Sequence, residues 1–97
     1  WDFYRERQNK GEEVWFYTMG RAVEYPLTRP RLIHWASFGS KTTGYLHWGY
    51  NWWVRTSDPC AGKWTLSAGD EWIVYPKKGG VIDSIRFEAM LEGIQDY

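Results

Sequence analysis

The chain has 97 residues, enough for one small domain, and its 12 basic and 12 acidic side chains cancel to a formal net charge of zero. A balanced chain creates no field that would attract nucleic acid or an anionic membrane, so we expect neither as a partner. The single cysteine, Cys60, excludes an intramolecular disulfide, and the two histidines beside it do not make a zinc-ligand cluster. We therefore expect no metal and no cofactor.

Aromatic side chains are frequent: 8 Trp, 7 Tyr and 4 Phe make up 20% of the residues. Tryptophan and tyrosine combine an apolar body with a polar tip, which suits clefts that bind sugars. The same composition also fits an aromatic-rich core or an interface with a partner. The lone thiol is compatible with any redox compartment, so the localisation stays unassigned.

The first half of the chain predicts helix, strand, helix and strand in that order. Residues 1–10 predict the end of a helix, because Gly11 stands where a helix takes its left-handed closing residue. Residues 12–19 are apolar on both faces, which is typical of a buried parallel strand. Pro30 is predicted at the first position of a helix over residues 31–42, and the run GYLHWGYNWW at 44–53 predicts an aromatic strand.

The second half predicts a long loop and a closing helix. Residues 54–80 are broken by Pro and Gly and contain one short strand pattern at 71–75, and a loop of this length is usually functional. Asp83 or Ser84 is predicted to cap the last helix. Its apolar stripe is formed by Phe87, Met90, Leu91 and Ile94.

Alternating strands and helices of this kind predict an α/β fold with parallel strands joined by right-handed crossovers. We expect residues 13–18 and 45–51 to form neighbouring parallel strands joined by the intervening helix. So few helices cannot cover both faces of such strands, so we expect the chain to be a piece of a larger α/β domain.

Several segments, in order and with consistent spacing, resemble the C-terminal part of the catalytic region of glycoside hydrolase family 123-like proteins. They are residues 11–18, 44–53, the Asp-Pro pair at 58–59, 69–76, 84–88 and 92–97. Cys60 departs from the family pattern, where an aromatic residue commonly follows the Asp-Pro pair. The resemblance implies that residues 1–97 form a single C-terminal portion of a (β/α)₈ TIM-type barrel, with no separate second domain. It would comprise two barrel strands, a connecting helix, a long βα loop and the closing helix.

The resemblance also implies an activity, because characterised members of the family are β-N-acetylgalactosaminidases. In them an adjacent Asp-Glu pair after an earlier strand helps the substrate's own acetamido oxygen attack the anomeric carbon, with retention of configuration. Asp70-Glu71 has the residue types of the catalytic pair, but it precedes a strand pattern instead of following one. Glu12-Glu13 also precedes its strand and would lie at the barrel's amino-terminal face, away from the site. We therefore assign no catalytic residue in this chain and expect the pair to lie outside it.

Candidate substrate-binding residues lie at the ends of the predicted strands. In a strand, alternate residues share a face, so Asn51 and Trp53 would lie with His47 towards the barrel interior and reach its carboxyl-terminal rim. Trp48 and Tyr50 would take this place if the register were reversed. In the first of these two arrangements, the large apolar set that includes Leu46 would pack under the helices.

Three further aromatic residues are candidates. Tyr17 at the end of the first strand could donate a hydrogen bond to a sugar, with Trp15 forming an apolar floor, or Tyr17 could simply be a core residue. Tyr75 could fold over the site or only fasten the loop. Arg86, in the first turn of the last helix, is interpreted as structural, with Asp83 or Glu88 as its expected carboxylate partner.

Two functions of different classes remain open. The chain could be part of a retaining, substrate-assisted β-N-acetylgalactosaminidase whose partners are a β-linked N-acetylhexosamine glycan and the remainder of the barrel. Alternatively, it could be a non-catalytic carbohydrate-binding or structural fragment. Under either hypothesis we expect the 97-residue chain alone to be inactive.

Overall fold

The structure is a computed structural model that describes residues 1–19, 22–53 and 68–96. Its helices are α1 (Asp2–Asn9), α2 (Thr28–Gly39) and α3 (Ile85–Gln95), and its strands are β1 (Trp15–Thr18), β2 (Gly44–His47), β3 (Val74–Lys77) and β4 (Gly80–Asp83). Cys60, the Asp-Pro pair and half of the predicted long loop lie outside these residues. None of the helices within the described ranges has the length and apolarity needed to cross a bilayer.

The parallel pair predicted from the sequence is confirmed. β1 and β2 pair in parallel, with Trp15 opposite Gly44 and Thr18 opposite His47, and α2 connects them. A parallel pair needs such a crossover because the second strand must start again at the same end of the sheet as the first. The described part of the chain is therefore mixed α/β.

The second strand ends six residues earlier than predicted. β2 stops at His47, and Gly49 turns the chain with a φ of 90° that favours glycine. Asn51 then forms an isolated antiparallel bridge with Trp72. The alternation of faces expected over residues 44–53 therefore does not extend to Asn51 and Trp53, because a turn lies between them and the strand.

The faces of β2 are also the reverse of the expectation. Tyr45 packs against His34 of α2 with ring centroids 5.2 Å apart, and its hydroxyl lies 2.7 Å from the Thr18 hydroxyl. Tyr45 and His47 therefore face the helices, whereas Leu46 points away from them and is 54% exposed.

A β-hairpin that was not predicted begins inside the predicted long loop. β3 and β4 pair antiparallel, with Lys77 opposite Gly80, so that Lys78 and Gly79 form a two-residue turn in which Gly79 has a φ of 79°. The strand pattern predicted at 71–75 thus becomes a strand only from Val74. Two glycines after a lysine pair were the available signal for a tight turn.

Two of the three predictions about residues at helix ends, those for Gly11 and Ser84, are confirmed, and the one for Pro30 is wrong. Gly11 follows α1 with a φ of 82°, and Ser84 caps α3 by accepting a hydrogen bond of 3.2 Å from the Phe87 amide. However, α2 begins at Thr28, so Pro30 is its third residue. Proline is tolerated there because the amides of the first turn have no partner within the helix.

The α2 and α3 helices pack through small residues. Ala89 and Gly93 of α3 are buried, and a Cβ on Gly93 would overlap the backbone of Arg31 in α2. The predicted apolar stripe is therefore only partly the packed face, because Ile94 is 54% exposed. Close backbone approach places the small residues at the contact and leaves the larger side chains at its border.

Candidate functional site

The segments that follow β1 and β2 meet at the carboxyl ends of these strands. The Trp48 amide donates to the Thr18 carbonyl over 3.1 Å, which joins the two strand ends. The Val23 amide donates to the Ala68 carbonyl over 2.9 Å, which joins the segment after β1 to the end of the long loop. Ligands of parallel α/β sheets bind at this edge, so these segments are where a site is expected.

Two short segments, 50–53 and 70–74, lie side by side there. The Ile73 amide donates to the Tyr50 carbonyl and the Trp52 amide to the Glu71 carbonyl, both over 3.0 Å. A Cβ added to Gly49 would lie 2.7 Å from the Glu71 Cα, so the turn needs glycine for this approach as well as for its φ. Backbone pairing therefore fixes Asn51 and Trp53 relative to the loop.

Three aromatic side chains, Trp53, Trp72 and Tyr75, form what we term the aromatic wall. The Trp72 ring lies between the other two, with ring centroids 6.4 Å from Trp53 and 6.4 Å from Tyr75. The Trp53 indole donates to the Val74 carbonyl over 3.0 Å. Trp72 is 3% exposed, while Trp53 and Tyr75 are half-buried, so Trp72 supports the two residues that reach the surface.

The other aromatic residues of the 48–53 segment pack on partners outside the aromatic wall. Trp48 and the exposed Trp52 approach each other with ring centroids 5.8 Å apart. Tyr50 packs against Phe87 of α3 at 6.1 Å. Asn51 is exposed and keeps its side chain available for a ligand, while its backbone bridges to Trp72.

Trp15 and Tyr17 lie on the face of the β1–β2 sheet opposite to α2. Both are 57% exposed, and the Trp15 ring covers Gly44, where a Cβ would overlap it. Trp15 starts β1 and so lies at the end of the strand opposite to Trp48, whereas Tyr17 lies one residue before the carboxyl end. The structure thus packs Trp53 and Tyr75 on the same residue, Trp72, and leaves Trp15 at the other end of its strand.

Arg86 is the residue whose role the sequence described least well. It is 3% exposed and donates to the Gly69 carbonyl over 2.6 Å, to the Trp72 carbonyl and to the Tyr75 hydroxyl. The expected contact with Asp83 or Glu88 gives way to these carbonyl and hydroxyl oxygens, because the guanidinium lies beneath the loop. An arginine in the first turn of a helix, where the dipole disfavours it, was the signal for such a buried role.

Trp52 and Trp72 were also missing from the predicted set. Trp72 lies within the strand pattern at 71–75, and its bridge to Asn51 could not be read from either segment alone. Contacts between segments so far apart in sequence depend on the turn at Gly49. A search for aromatic residues near the strand ends would have included Trp52.

The carboxylates near the wall are enclosed. Asp70 is 3% and Glu71 is 9% exposed, in the turn that packs on Gly49. Glu12, at the far end of the sheet, pairs with Arg7 at 2.9 Å on the surface. Within residues 1–19, 22–53 and 68–96, no cluster of three His, Cys, Asp or Glu side chains could hold a metal ion.

Comparison with protein families gives a match that covers the whole chain. The family model described as the catalytic domain of glycoside hydrolase 123 matches residues 1–97. No curated protein matches the chain significantly.

Proposed function

Because the chain belongs to the family of glycoside hydrolase 123 catalytic domains, we propose that it is part of a retaining, substrate-assisted β-N-acetylgalactosaminidase. The observation that carries the proposal is the match over every residue from 1 to 97. A glycoside hydrolase domain acts on a carbohydrate. We propose that this carbohydrate is a β-linked N-acetylhexosamine and, within that class, N-acetylgalactosamine. The experiment below tests both choices.

In this proposal the chain supplies sugar-binding surface. Trp53 and Tyr75 offer apolar ring faces on which the C–H face of a sugar can stack, and the exposed Asn51 amide can both donate to and accept from sugar hydroxyls. Tyr17, Trp15, Trp48 and Tyr50 remain proposed sugar contacts outside the aromatic wall. The placement of Trp53 and Tyr75 on a buried Trp72 supports the wall, because a supported ring loses little freedom when a ligand binds.

The catalytic pair is proposed to lie outside residues 1–97, on earlier strands of a (β/α)₈ barrel of which this chain is the C-terminal portion. The glutamate of such a pair would protonate the leaving oxygen, and the aspartate would orient the acetamido group whose oxygen attacks the anomeric carbon. The burial of Asp70 and Glu71 supports this division, because a general acid must reach the glycosidic oxygen.

The test compares three chromogenic β-glycosides with the full-length protein: N-acetylgalactosaminide, N-acetylglucosaminide and galactoside. We expect the first to be cleaved fastest and the galactoside, which lacks the acetamido nucleophile, not to be cleaved. Proton NMR of the first product should show the β-anomer. Equal cleavage of the galactoside, or an α-anomer as first product, would contradict the substrate-assisted mechanism. Sugar binding without cleavage would favour the non-catalytic alternative.

A further inference from the structure

We propose that Arg86 is a positioning residue for the sugar ligand, which fixes Tyr75 so that its hydroxyl hydrogen is presented to an oxygen atom of the bound sugar. This inference rests on the proposed function, because it assigns Tyr75 a defined chemical task at the same site. The observation behind it is a single buried guanidinium that contacts both the backbone of the aromatic wall and the Tyr75 hydroxyl.

The direction of the hydrogen bond follows from the chemistry of arginine. A guanidinium carries only donors, so the Tyr75 oxygen must accept the 3.2 Å hydrogen bond from Arg86 Nη2. This bond therefore leaves the phenolic hydrogen unused. Among the described residues, no side chain or carbonyl accepts it from Tyr75. Since Tyr75 is only half-buried, an acceptor on a ligand can reach this hydrogen.

The same guanidinium also holds the loop from which Tyr75 extends. Its Nη1 donates to the Gly69 carbonyl over 2.6 Å, and its Nη2 donates to the Trp72 carbonyl. Gly69 has a φ of 74°, and a Cβ there would lie 3.1 Å from Nη1 and would overlap Val23. The turn at Gly69 thus allows Arg86 to approach, and loss of the guanidinium geometry should free the wall and the hydroxyl together.

The ligand group that fits is a neutral oxygen acceptor next to an apolar face. A phenol that already accepts from a cation offers a hydrogen bond donor, and the Trp72–Tyr75 contact at 6.4 Å fixes the ring from one side. Two oxygens of an N-acetylhexosamine qualify, the acetamido carbonyl oxygen and a ring hydroxyl. Ligands with and without the acetamido group separate these two sources.

The experiment uses the full-length protein that carries these residues, with Tyr75→Phe, Arg86→Lys and the double variant. Tyr4→Phe and Arg5→Lys, on the exposed α1 helix, are the matched controls. Dissociation constants are measured for methyl β-N-acetylgalactosaminide and methyl β-galactoside. Fluorine NMR of protein labelled with 3-fluorotyrosine reports the Tyr75 ring, whose signal is assigned by its absence in Tyr75→Phe.

We expect Tyr75→Phe and Arg86→Lys each to weaken binding of the acetamido sugar by about tenfold, the order of one hydrogen bond. The double variant should lose no more than either single variant, because both changes remove the same presented hydrogen. If the acceptor is the acetamido oxygen, binding of the galactoside should be unchanged by Tyr75→Phe, and if it is a ring hydroxyl both sugars should weaken. Arg86→Lys should also shift or broaden the Tyr75 fluorine signal. The two control variants should change neither the sugar affinity nor this signal.

Three results would overturn the proposal. Unchanged affinity for both sugars in folded Tyr75→Phe protein would remove the donor role, and this variant loses only one oxygen atom, so it is the one most certain to fold. Additive losses in the double variant, or an unmoved fluorine signal in Arg86→Lys, would show that Arg86 acts independently of Tyr75. Failure of the wild-type protein to bind either sugar would refute the proposed function and the ligand, while the fluorine signal would still decide whether Arg86 positions Tyr75.

Discussion

The Arg31 guanidinium holds the Asp96 carboxylate in a bidentate pair, with Nε 2.8 Å from Oδ2 and Nη2 2.7 Å from Oδ1. The Trp35 indole donates to the same carboxylate over 2.7 Å, and Glu92 lies 3.2 Å from Arg31 Nη1. Arg31 and Trp35 belong to α2, whereas Glu92 belongs to α3 and Asp96 is the C-cap residue that follows it. This polar cluster therefore links α2 to α3 at the edge of their interface, and the Gly93 contact lies at the centre of that interface.

The first prediction is that acid weakens this fastening. Hydrogen bonds from Arg31, and then from Trp35, hold the pKa of the Asp96 carboxyl below its usual range. Its contribution to stability is complete above the usual aspartate pKa of about 3.9 and is lost as the pH falls towards the lowered folded value. Thermal unfolding of wild-type protein should therefore show a larger drop in Tm over that range than thermal unfolding of Asp96→Asn. Glu13→Gln, on an exposed side chain, should keep the wild-type pH profile.

The second prediction concerns the glycine at the helix crossing. Gly93→Ala should lower the free energy of unfolding by about 1–3 kcal/mol, because the added methyl group overlaps the Arg31 backbone and forces the helices apart. Gly39→Ala is the control, because Gly39 ends α2 with nothing within 4 Å of its Cβ position. That variant should be neutral or gain up to about 1 kcal/mol. Urea unfolding of both variants decides, and equal stabilities would contradict the tight crossing.

The third prediction concerns the cap of α3. Ser84→Ala should cost about 1 kcal/mol, because the Phe87 amide loses its acceptor, and Ser84→Asp should restore most of it. Since Arg86 is two residues from this cap, we also expect Ser84→Ala to lower sugar affinity slightly in the full-length protein. Urea unfolding measures the first effect. A Ser84→Asp variant as unstable as Ser84→Ala would show that the cap is not what stabilises the helix start.

Local patterns predicted the elements of this fold better than they predicted the site. The parallel pair, the crossover helix and the Ser84 cap follow from apolar runs and capping residues within short windows. The end of β2 at His47 depended on Gly49, whose positive φ allows close approach to Glu71, more than 20 residues away in sequence. Arg86 likewise met carbonyl oxygens of a distant loop. Contacts of this kind can be identified only from the tertiary structure, because nothing in the sequence around one residue indicates which distant residue it will contact.

The fourth prediction concerns Asn51 in the full-length enzyme. Asn51→Ala should lower kcat/KM for an aryl β-N-acetylgalactosaminide by about tenfold or more, as expected for one hydrogen bond of about 1.5 kcal/mol in the transition state. The backbone bridge to Trp72 does not need the side chain, so the fold should persist. Asn9→Ala, at the end of α1, is the control. Unchanged kinetics in folded Asn51→Ala protein would remove Asn51 from the site.

The last prediction is that the 97-residue chain alone has no glycosidase activity and associates with itself. Within the described residues the Asp70-Glu71 pair is enclosed and the Glu12-Glu13 pair lies at the far end of the sheet. Trp15, Tyr17 and Leu46 expose 57%, 57% and 54% of their surface on one face of the β1–β2 sheet, which has two strands in the described residues. Such faces and open edges favour association. Light scattering of the wild-type chain should show oligomers, and the double variant Trp15→Thr/Tyr17→Thr should reduce them. The control Ile85→Thr should not reduce them, because Ile85 starts α3 and is not part of the β1–β2 sheet. A monomeric wild-type chain would contradict the association, and turnover of a chromogenic N-acetylgalactosaminide that Glu71→Gln abolishes would place catalysis in the enclosed Asp70-Glu71 pair.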